Sequence, residues 1–249
     1  MTQEKAVAKN VKSYFEHHTH DYANRHTHFY PLIAKYLKNI VMTKGHRLKL
    51  LDLGCGDGSF VKAMLEANVK IDYFATDMSF GMMKLAKENF NDYNVGLFVA
   101  DGFNIPVKDN IKFDIIHLDS VLHHLVDKTR GKSVDRVKRM VESLVSKLSD
   151  GGIIIIEEWH FVSHIIPTFT AFLIFYGLKL INLLGIDLSF TREIRLGLEV
   201  NFLDQQQLSE ILARHGEVYL FDKVKVEFPS TYRAFMLREK VHSTFILKV

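Results

Sequence analysis

Residues 50–60, LLDLGCGDGSF, join a short apolar run to three glycines that alternate with other residues. Because glycine has no Cβ, such a stretch can turn sharply and approach a ligand closely. The apolar run predicts a buried strand, and the residues from Ser59 onward predict a helix. The first N–H groups of a helix have no partner inside it and attract anionic groups. The stretch therefore predicts a strand, a tight turn and a helix that form a nucleoside-cofactor site.

A lone acidic residue, Asp77, follows the next apolar run, IDYFAT, and lies 19 residues after Gly58. A carboxylate at the end of a neighbouring parallel strand accepts hydrogen bonds from the two hydroxyls of a ribose. A nicotinamide dinucleotide fits this sequence poorly, because its G-x-G-x-x-G pattern requires glycine where Ser59 stands. Four carboxylates, those of Asp52, Asp57, Asp77 and Asp101, crowd the predicted site. They favour a cofactor that carries a sulfonium and an ammonium over one that carries two phosphates.

Strand-like and helical patterns alternate along the chain, which predicts a parallel sheet flanked by helices. The strand-like runs are LKLLDLG, KIDYFATD, VGLFVAD, FDIIHLDS and GGIIIIEEW. A helix over residues 134–148 is predicted to end at the glycines 151 and 152, before a strand over 153–157. Asp204 is the predicted N-cap of a helix over 205–215. The later runs EVYLFDKVKVEF and HSTFILKV predict an antiparallel edge.

Composition predicts a single domain over residues 1–249 with one large core, since 47% of the residues are hydrophobic and 24% are charged. The net charge is only +3 and there is no long basic run, so no specific nucleic-acid partner is expected. The single cysteine, Cys55, cannot form an internal disulfide, and the first residues lack the apolar core of a signal peptide. Both observations predict a cytoplasmic location.

The motifs LLDLGCGDGSF, FATDMSFGMMKLAKENF, FVADGFNIPV, FDIIHLDSVLHHL and LSDGGIIIIEE resemble, in this order, those of the class I S-adenosylmethionine-dependent methyltransferases, in their small-molecule branch. The resemblance runs from about Lys12 to the C-terminus. It implies a Rossmann-like, doubly wound α/β fold whose seven-stranded, mostly parallel sheet has an antiparallel C-terminal edge strand. An N-terminal helical lid over 1–45 is implied as well. Asp150 departs from the family, which usually has proline there.

The resemblance also implies which residues contact the cofactor, S-adenosyl-L-methionine. The methionine end would be held by Asp52, Gly54, Cys55 and Gly56, and the ribose by Asp77. The adenine would be contacted by Met78, Asp101, Gly102 and Phe103. Leu118 would lie near the methionyl amine, and Tyr22 would belong to the lid. Tyr14 is a second lid candidate. Simple aromatic packing of the N-terminal helix is the alternative for both tyrosines.

Two histidines, His123 and His124, follow the fourth predicted strand at the edge where ligands bind in such sheets. Either could accept the proton of an attacking hydroxyl as a general base, and the alternative is packing within the following helix. Glu157, Glu158 and His160 are the next candidates. No metal site is predicted, although the N-terminal segment holds five histidines. We interpret the segment as a histidine-rich amphipathic helix over the cofactor, with the histidines His17, His18, His20, His26 and His28.

A strongly apolar helical insertion occupies residues 161–200, after the fifth predicted strand. Its apolar positions surround the helix, which therefore needs a partner. The insertion is predicted to wall a pocket for an apolar substrate. Residues 165–186 could instead dock on a membrane surface as a peripheral contact, or form a homodimer. Arg192 and Arg195 could face a substrate carboxylate or phosphate, or be solvated.

The sequence thus predicts methyl transfer from S-adenosylmethionine to a small, mostly apolar acceptor, at oxygen, nitrogen or carbon. Methylation of RNA, DNA or protein is the alternative, although the chain has no NPPY-like tetrapeptide and no basic stripe with interleaved aromatics. A non-catalytic or oxidoreductase relative that kept the nucleotide fold is the third possibility.

Overall fold

Seven strands form one sheet in a computed structural model, which describes residues 12–14, 16, 29–91, 93–108, 110–186, 197–230, 233 and 236–249. The strands are β1 (Lys49–Leu53), β2 (Asp72–Asp77), β3 (Val95–Val99), β4 (Phe113–Asp119), β5 (Leu148–Ser163), β6 (Glu217–Val226) and β7 (Leu237–Lys248). Their order in the sheet is β3-β2-β1-β4-β5-β7-β6. Pairing of β1 with β2 and β4, and of β2 with β3, is parallel. The edge formed by β5, β7 and β6 is antiparallel, so the predicted fold class is confirmed.

Six α-helices connect these strands in the described part of the chain: α1 (Tyr30–Thr43), α2 (Ser59–Glu66), α3 (Phe80–Asn89), α4 (Arg130–Val145), α5 (Phe169–Leu184) and α6 (Gln205–Leu212). Asp204 caps α6 as predicted, since its carboxylate accepts the N–H of Gln207 at 2.7 Å while the Gln207 side chain accepts the Asp204 N–H. Helix α6 ends at Leu212, three residues before the predicted end.

The boundary between α4 and β5 differs from the prediction. Helix α4 ends at Val145, and β5 begins at Leu148, before the two glycines that were predicted to precede it. The reason is pairing with the start of β4: the Phe113 N–H donates to the Lys147 carbonyl at 2.9 Å, and the Ser149 hydroxyl donates to Asp114 at 2.7 Å. Gly151, at φ +68°, therefore lies inside the strand. At its other end β5 continues to Ser163, into the predicted insertion.

The chain divides into two compact units. One comprises residues 15–119, 142–156 and 246–249 and contains β1 to β4. Leu50, Leu51 and Ile116 are completely buried there. Burial of each such side chain stabilises the fold by about 1.5–3 kcal/mol. The largely apolar strands β1 and β4 thus form the centre of this unit.

The other unit comprises residues 1–14, 120–141 and 157–245. Arg130, at the start of α4, forms hydrogen bonds to two segments of this unit that are distant in sequence. Its guanidinium donates to the Asn201 side chain at 3.1 Å and to the carbonyls of Phe202 and Thr168 at 3.0 and 3.2 Å. Three bonds from one planar group fix α4 relative to the chain before α5 and the chain before α6.

Helix α5 is the apolar helix of the predicted insertion. It buries Ala171, Phe175 and Leu178 and leaves a row of large apolar side chains exposed, namely Phe172, Tyr176, Leu180, Leu183 and Leu184. With 16 residues it is about 24 Å long, less than the roughly 30 Å of a bilayer's hydrocarbon core. None of the helices in the described ranges is long and apolar enough to cross a membrane.

All three glycines of the tight turn between β1 and α2 have a positive φ, which is +72° at Gly54. Gly56 and Gly58 have φ of +55° and +81°, a region that other L-residues rarely adopt. Space differs between them: a Cβ at Gly56 would meet no atom within 4 Å, whereas a Cβ at Gly58 would overlap the ring of Phe90. Phe90 is 3% exposed at the end of α3, so it has little room to move. Close packing of α2 on α3 therefore requires glycine at residue 58.

Replacing Gly58 by alanine is expected to lower the free energy of unfolding by about 2–4 kcal/mol, because the methyl group meets Phe90 and the left-handed backbone is strained. Gly56→Ala is the matched control, with strain and no overlap, and is expected to lose only about 1–2 kcal/mol. Urea denaturation followed by circular dichroism measures both losses.

Combining Gly58→Ala with Phe90→Leu should recover part of the difference, since the smaller side chain makes room for the methyl group. Equal losses for the two single alanine variants would contradict the packing explanation.

Candidate cofactor site

The glycine turn after β1 is held against the end of β2 by main-chain hydrogen bonds. The N–H groups of Gly54 and Cys55 both donate to the Thr76 carbonyl, at 2.8 and 3.0 Å. Asp77 continues this contact, because its carboxylate accepts the Gly56 N–H at 3.1 Å and the Ser79 N–H at 2.8 Å. Asp77 therefore lies beside the turn, as a residue predicted to hold a ribose must.

A second carboxylate, that of Asp57, occupies the start of α2. Its Oδ1 accepts the Ser59 N–H at 3.1 Å and the Ser59 hydroxyl at 2.5 Å, and the Gly58 N–H donates to the Cys55 carbonyl. The prediction that this helix start offers unpartnered N–H groups to an anion is therefore wrong for residues 58 and 59. The reason is that the chain supplies its own anion at this helix end.

Acidic side chains give the turn a negative electrostatic environment. Loss of hydration raises the pKa of Asp77 above its ordinary value, and the nearby Asp52 adds to the rise, although the N–H groups of Ser79 and Gly56 oppose it. The buried Cys55 thiol responds to the same surroundings. Burial raises its pKa well above the ordinary value, and Asp52, Asp77 and Asp57 raise it further. Such a site attracts cations and repels phosphates.

Asp52 makes a contact that sequence reasoning missed. It is 1% exposed in β1, and its Oδ1 lies 2.7 Å from Nδ1 of His117, which is itself completely buried in β4. The His117 ring stacks on Phe60 with centroids 3.5 Å apart and an interplanar angle of 13°, and Tyr30 meets Phe60 edge-on at 5.4 Å. Asp52 Oδ2 is buried and has no hydrogen-bond partner among the described residues. The one signal for this pair was a polar residue inside the apolar run FDIIHL.

The predicted adenine contacts follow β2 and β3. Asp101 forms a turn two residues after β3, in which its Oδ1 accepts the Phe103 N–H at 3.0 Å. The Ala100 N–H donates to the Asp77 carbonyl at 3.1 Å, which brings this turn beside the end of β2. Gly102, Phe103 and Met78 are partly exposed there.

Two other predicted contacts have buried side chains. Leu118 is completely buried in β4, so its side chain offers no surface to a ligand. The Cys55 sulfur points to α3, where it lies 3.6 Å from the sulfur of Met83. The parallel strands β1, β2 and β3 thus place Asp52, Asp77 and Asp101 at or near their carboxyl ends, and the predicted contacts of individual residues with a ligand stay predictions.

The predicted bases belong to the other unit. Glu158 is 2% exposed in β5 and accepts two hydrogen bonds from His123, one from Nδ1 at 2.5 Å and one from the main-chain N–H at 3.2 Å. Burial opposes ionisation of Glu158, but the charge and hydrogen bond of His123 and the Trp159 N–H outweigh it, so the pKa of Glu158 lies below its ordinary value. The His124 ring lies 4.1 Å from that of His123. His123 is thus held by a buried carboxylate.

His160, a further candidate in the sequence, faces a carbonyl instead. Its Nδ1 donates to the Leu203 carbonyl at 2.8 Å, and burial lowers the pKa of the ring. Other sequence candidates lie outside the described residues, namely Tyr22, the five N-terminal histidines His17, His18, His20, His26 and His28, and Arg192 and Arg195. Tyr14 is described and is 5% exposed.

The residues around the turn fit a cationic cofactor better than a phosphorylated one. The N–H groups of Gly56 and Ser59, which a phosphate would use, already donate to Asp77 and Asp57. One buried carboxylate oxygen, Asp52 Oδ2, is left with acceptor capacity. Acceptors that outnumber free donors suit a ligand with positive charge and hydroxyl groups.

Comparisons with known proteins agree with this chemistry. Residues 51–156 match the protein family described as a methyltransferase domain. A tRNA (carboxymethyluridine(34)-5-O)-methyltransferase of Arabidopsis thaliana is 26% identical over 130 residues, which are 52% of this chain and 28% of that protein. O-methyltransferase 3 of Dictyostelium discoideum is 27% identical over 133 residues, which are 51% and 29% of the two chains. The chain thus spans less than a third of the length of these curated relatives.

A solved structure extends the likeness to the whole fold. The magnesium protoporphyrin IX methyltransferase of Synechocystis PCC 6803, crystallised with bound SAH, has a TM-score of 0.58 at 14% identity, over 96% of this chain and 99% of that one. Identity this low establishes the fold alone. Residues 51–156 are thus similar to a methyltransferase domain, and the fold with its seven-stranded sheet is similar to that of this solved methyltransferase.

Proposed function

We propose that this chain transfers a methyl group from S-adenosylmethionine to a small, mostly apolar acceptor. One observation carries the proposal: carboxylates of this chain accept the N–H groups of Gly56 and Ser59, so that the turn presents acceptors and negative charge. When bound, the cofactor supplies a methyl carbon activated by a positively charged sulfur. The protein then has to bind the cofactor and the acceptor, align the acceptor with the methyl carbon, and exclude water.

Specific residues support these tasks. We propose that Asp77, fixed by two N–H groups, accepts hydrogen bonds from the ribose, since each carboxylate oxygen can accept more than one bond. Asp101, half-exposed after β3, takes the adenine amino group with its remaining acceptor capacity. Met78, Gly102 and Phe103 pack beside the ring.

The proposed acceptor class rests on the surface chemistry of the second unit. Helix α5 exposes Phe172, Tyr176, Leu180 and Leu183, an apolar row far larger than the scattered apolar residues of an ordinary surface. Net charge is only +3, little for a protein that must neutralise several phosphates. Both features favour an apolar acceptor over RNA.

For acceptors that lose a proton, we propose His123 as the general base. Glu158 accepts from Nδ1, so Nε2 is the ring nitrogen with a free lone pair in the neutral histidine. A carboxylate behind the ring also stabilises the imidazolium that forms when the proton arrives.

Asp77→Asn is expected to weaken the binding of adenosylhomocysteine by at least about tenfold, because the amide cannot accept from the ribose while holding both Gly56 and Ser79. Asp114→Asn is the matched control. Asp114 also accepts a main-chain N–H, that of Lys49 at 2.8 Å, but at the amino end of β4. Isothermal titration calorimetry should give a Kd within about twofold of the wild type for the control. Equal Kd values for both variants would contradict the assignment of Asp77.

The acceptor class can be tested with methyl-labelled adenosylmethionine and two acceptor pools, a solvent extract of cell metabolites and total RNA. Label is expected in the extract, because an apolar acceptor partitions there. Label found in RNA alone, with RNA affinity that falls steeply as salt rises, would favour nucleic-acid methylation instead.

His123→Asn keeps a donor near Nδ1 for Glu158 and removes Nε2. With a proton-bearing acceptor it is expected to lower kcat by about 100-fold or more, while the Kd for adenosylhomocysteine stays within about twofold. His124→Asn serves as the comparison and should keep most of the activity. Full activity in both variants would show that the base assignment is wrong.

A further inference from the structure

We propose that His117 is a positioning residue for cofactor binding: its ring holds the Asp52 carboxylate ionised and oriented, so that Oδ2 receives the cationic end of the cofactor. The inference rests on the proposed use of S-adenosylmethionine and gives a role to a residue to which the sequence analysis assigned none.

The first support is the geometry of the pair. Asp52 Oδ1 lies 2.7 Å from His117 Nδ1, within a region where both side chains are almost completely excluded from solvent. An ionised carboxylate can only accept, so Nδ1 carries the proton in this bond. The bond uses one oxygen of Asp52 and leaves Oδ2 buried without a partner among the described residues. A buried carboxylate with one fixed and one open oxygen is costly unless a ligand completes it.

The second support is that the ring itself cannot turn away. Phe60 of α2 lies parallel to it at 3.5 Å, and Tyr30 of α1 packs edge-on against Phe60. Strand pairing also fixes the relative height of the two residues, since Asp52 and His117 are direct partners in the parallel register of β1 and β4. The positions of Asp52 and His117 are therefore fixed by the pairing of β1 with β4, and the His117 ring is held by its contact with α2, which α1 supports.

The third support is the electrostatics around Asp52. Burial raises its pKa most and nearby carboxylates raise it further, while the charge and hydrogen bond of His117 are the influences from the described residues that lower it. The titratable groups that interact with Asp52 come from the glycine turn, β2 and β4: Cys55, Asp57, Asp77, His117 and Asp119. All of them except His117 disfavour a negative charge at Asp52. Removal of the histidine donor therefore raises the pKa of Asp52 and moves the loss of its charge to higher pH.

Two substitutions separate the hydrogen bond from the packing. His117→Asn keeps a donor near Nδ1 and loses the stack on Phe60, whereas His117→Phe keeps a stacked ring and loses the donor. The Kd for adenosylhomocysteine is measured by calorimetry from about pH 5 to about pH 8. Binding requires ionised Asp52, so affinity falls as pH drops through the pKa of that carboxyl. The Phe variant should bind at least about tenfold more weakly near neutral pH, with its acidic limb at higher pH than in the wild type, and the Asn variant should stay within about threefold.

Adenosine is the matched ligand control, because it has the base and ribose of the cofactor but no cationic group. Its Kd should be the same for the wild type and the Phe variant. Asp52→Asn, which keeps the shape of the side chain, should bind adenosylhomocysteine weakly at every pH and lack the acidic limb. This variant tests the proposal even where the His117 substitutions unfold the protein.

Three results would overturn the inference. One is a Phe variant that binds and titrates like the wild type while the Asn variant is weak, since packing would then be the role of His117. Another is an equal loss of adenosine affinity, which would indicate a distorted site. The third is wild-type affinity in Asp52→Asn. If the wild-type protein binds neither adenosylhomocysteine nor adenosylmethionine, the proposed function fails together with the inference, and this result is distinct from the others.

Discussion

The hydrogen bond from the Gly56 N–H to the Asp77 carboxylate joins the turn after β1 to the end of β2, and the candidate site depends on it. Asp77 also accepts the Ser79 N–H, so one side chain fixes the start of α3 as well as the turn. The bond requires the unusual backbone of Gly56, and the next glycine of the turn, Gly58, lets α2 approach Phe90. The shape of the turn, the packing of α2 and the orientation of the Asp77 carboxylate therefore depend on one another.

Much of this architecture could be predicted from the sequence, because its signals are local. The apolar runs of β1 and β4, the glycines of the turn and the cap at Asp204 each act within a few residues. The pair of Asp52 and His117 could not be predicted in this way, since the two residues are 65 positions apart and meet only through the register of β1 and β4. The early start of β5 has the same cause, because pairing with β4 overrides the glycine signal at residue 151.

The helix start after the turn shows how a general rule can mislead. An N-terminus favours an anion, and the sequence indeed places glycines before it. In this chain, however, the anion is Asp57, two residues ahead of the N–H group that it accepts from. At Gly56, too, a side-chain carboxylate takes the place of a ligand anion, because the Gly56 N–H donates to Asp77. Carboxylates concentrated in this way repel one another, and the fold tolerates them because N–H donors and His117 face them. The residual negative charge is what a cationic ligand compensates.

Cys55 gives this region a natural reporter. It is the chain's one cysteine, it is buried in the turn between Asp52 and Asp77, and its sulfur lies against Met83. Alkylating reagents react with exposed thiolates, and both burial and the raised pKa keep this sulfur protonated and inaccessible. Alkylation of the native protein therefore requires the turn to separate from α3. The alkylation rate thus measures how often that local opening occurs, without any engineered probe.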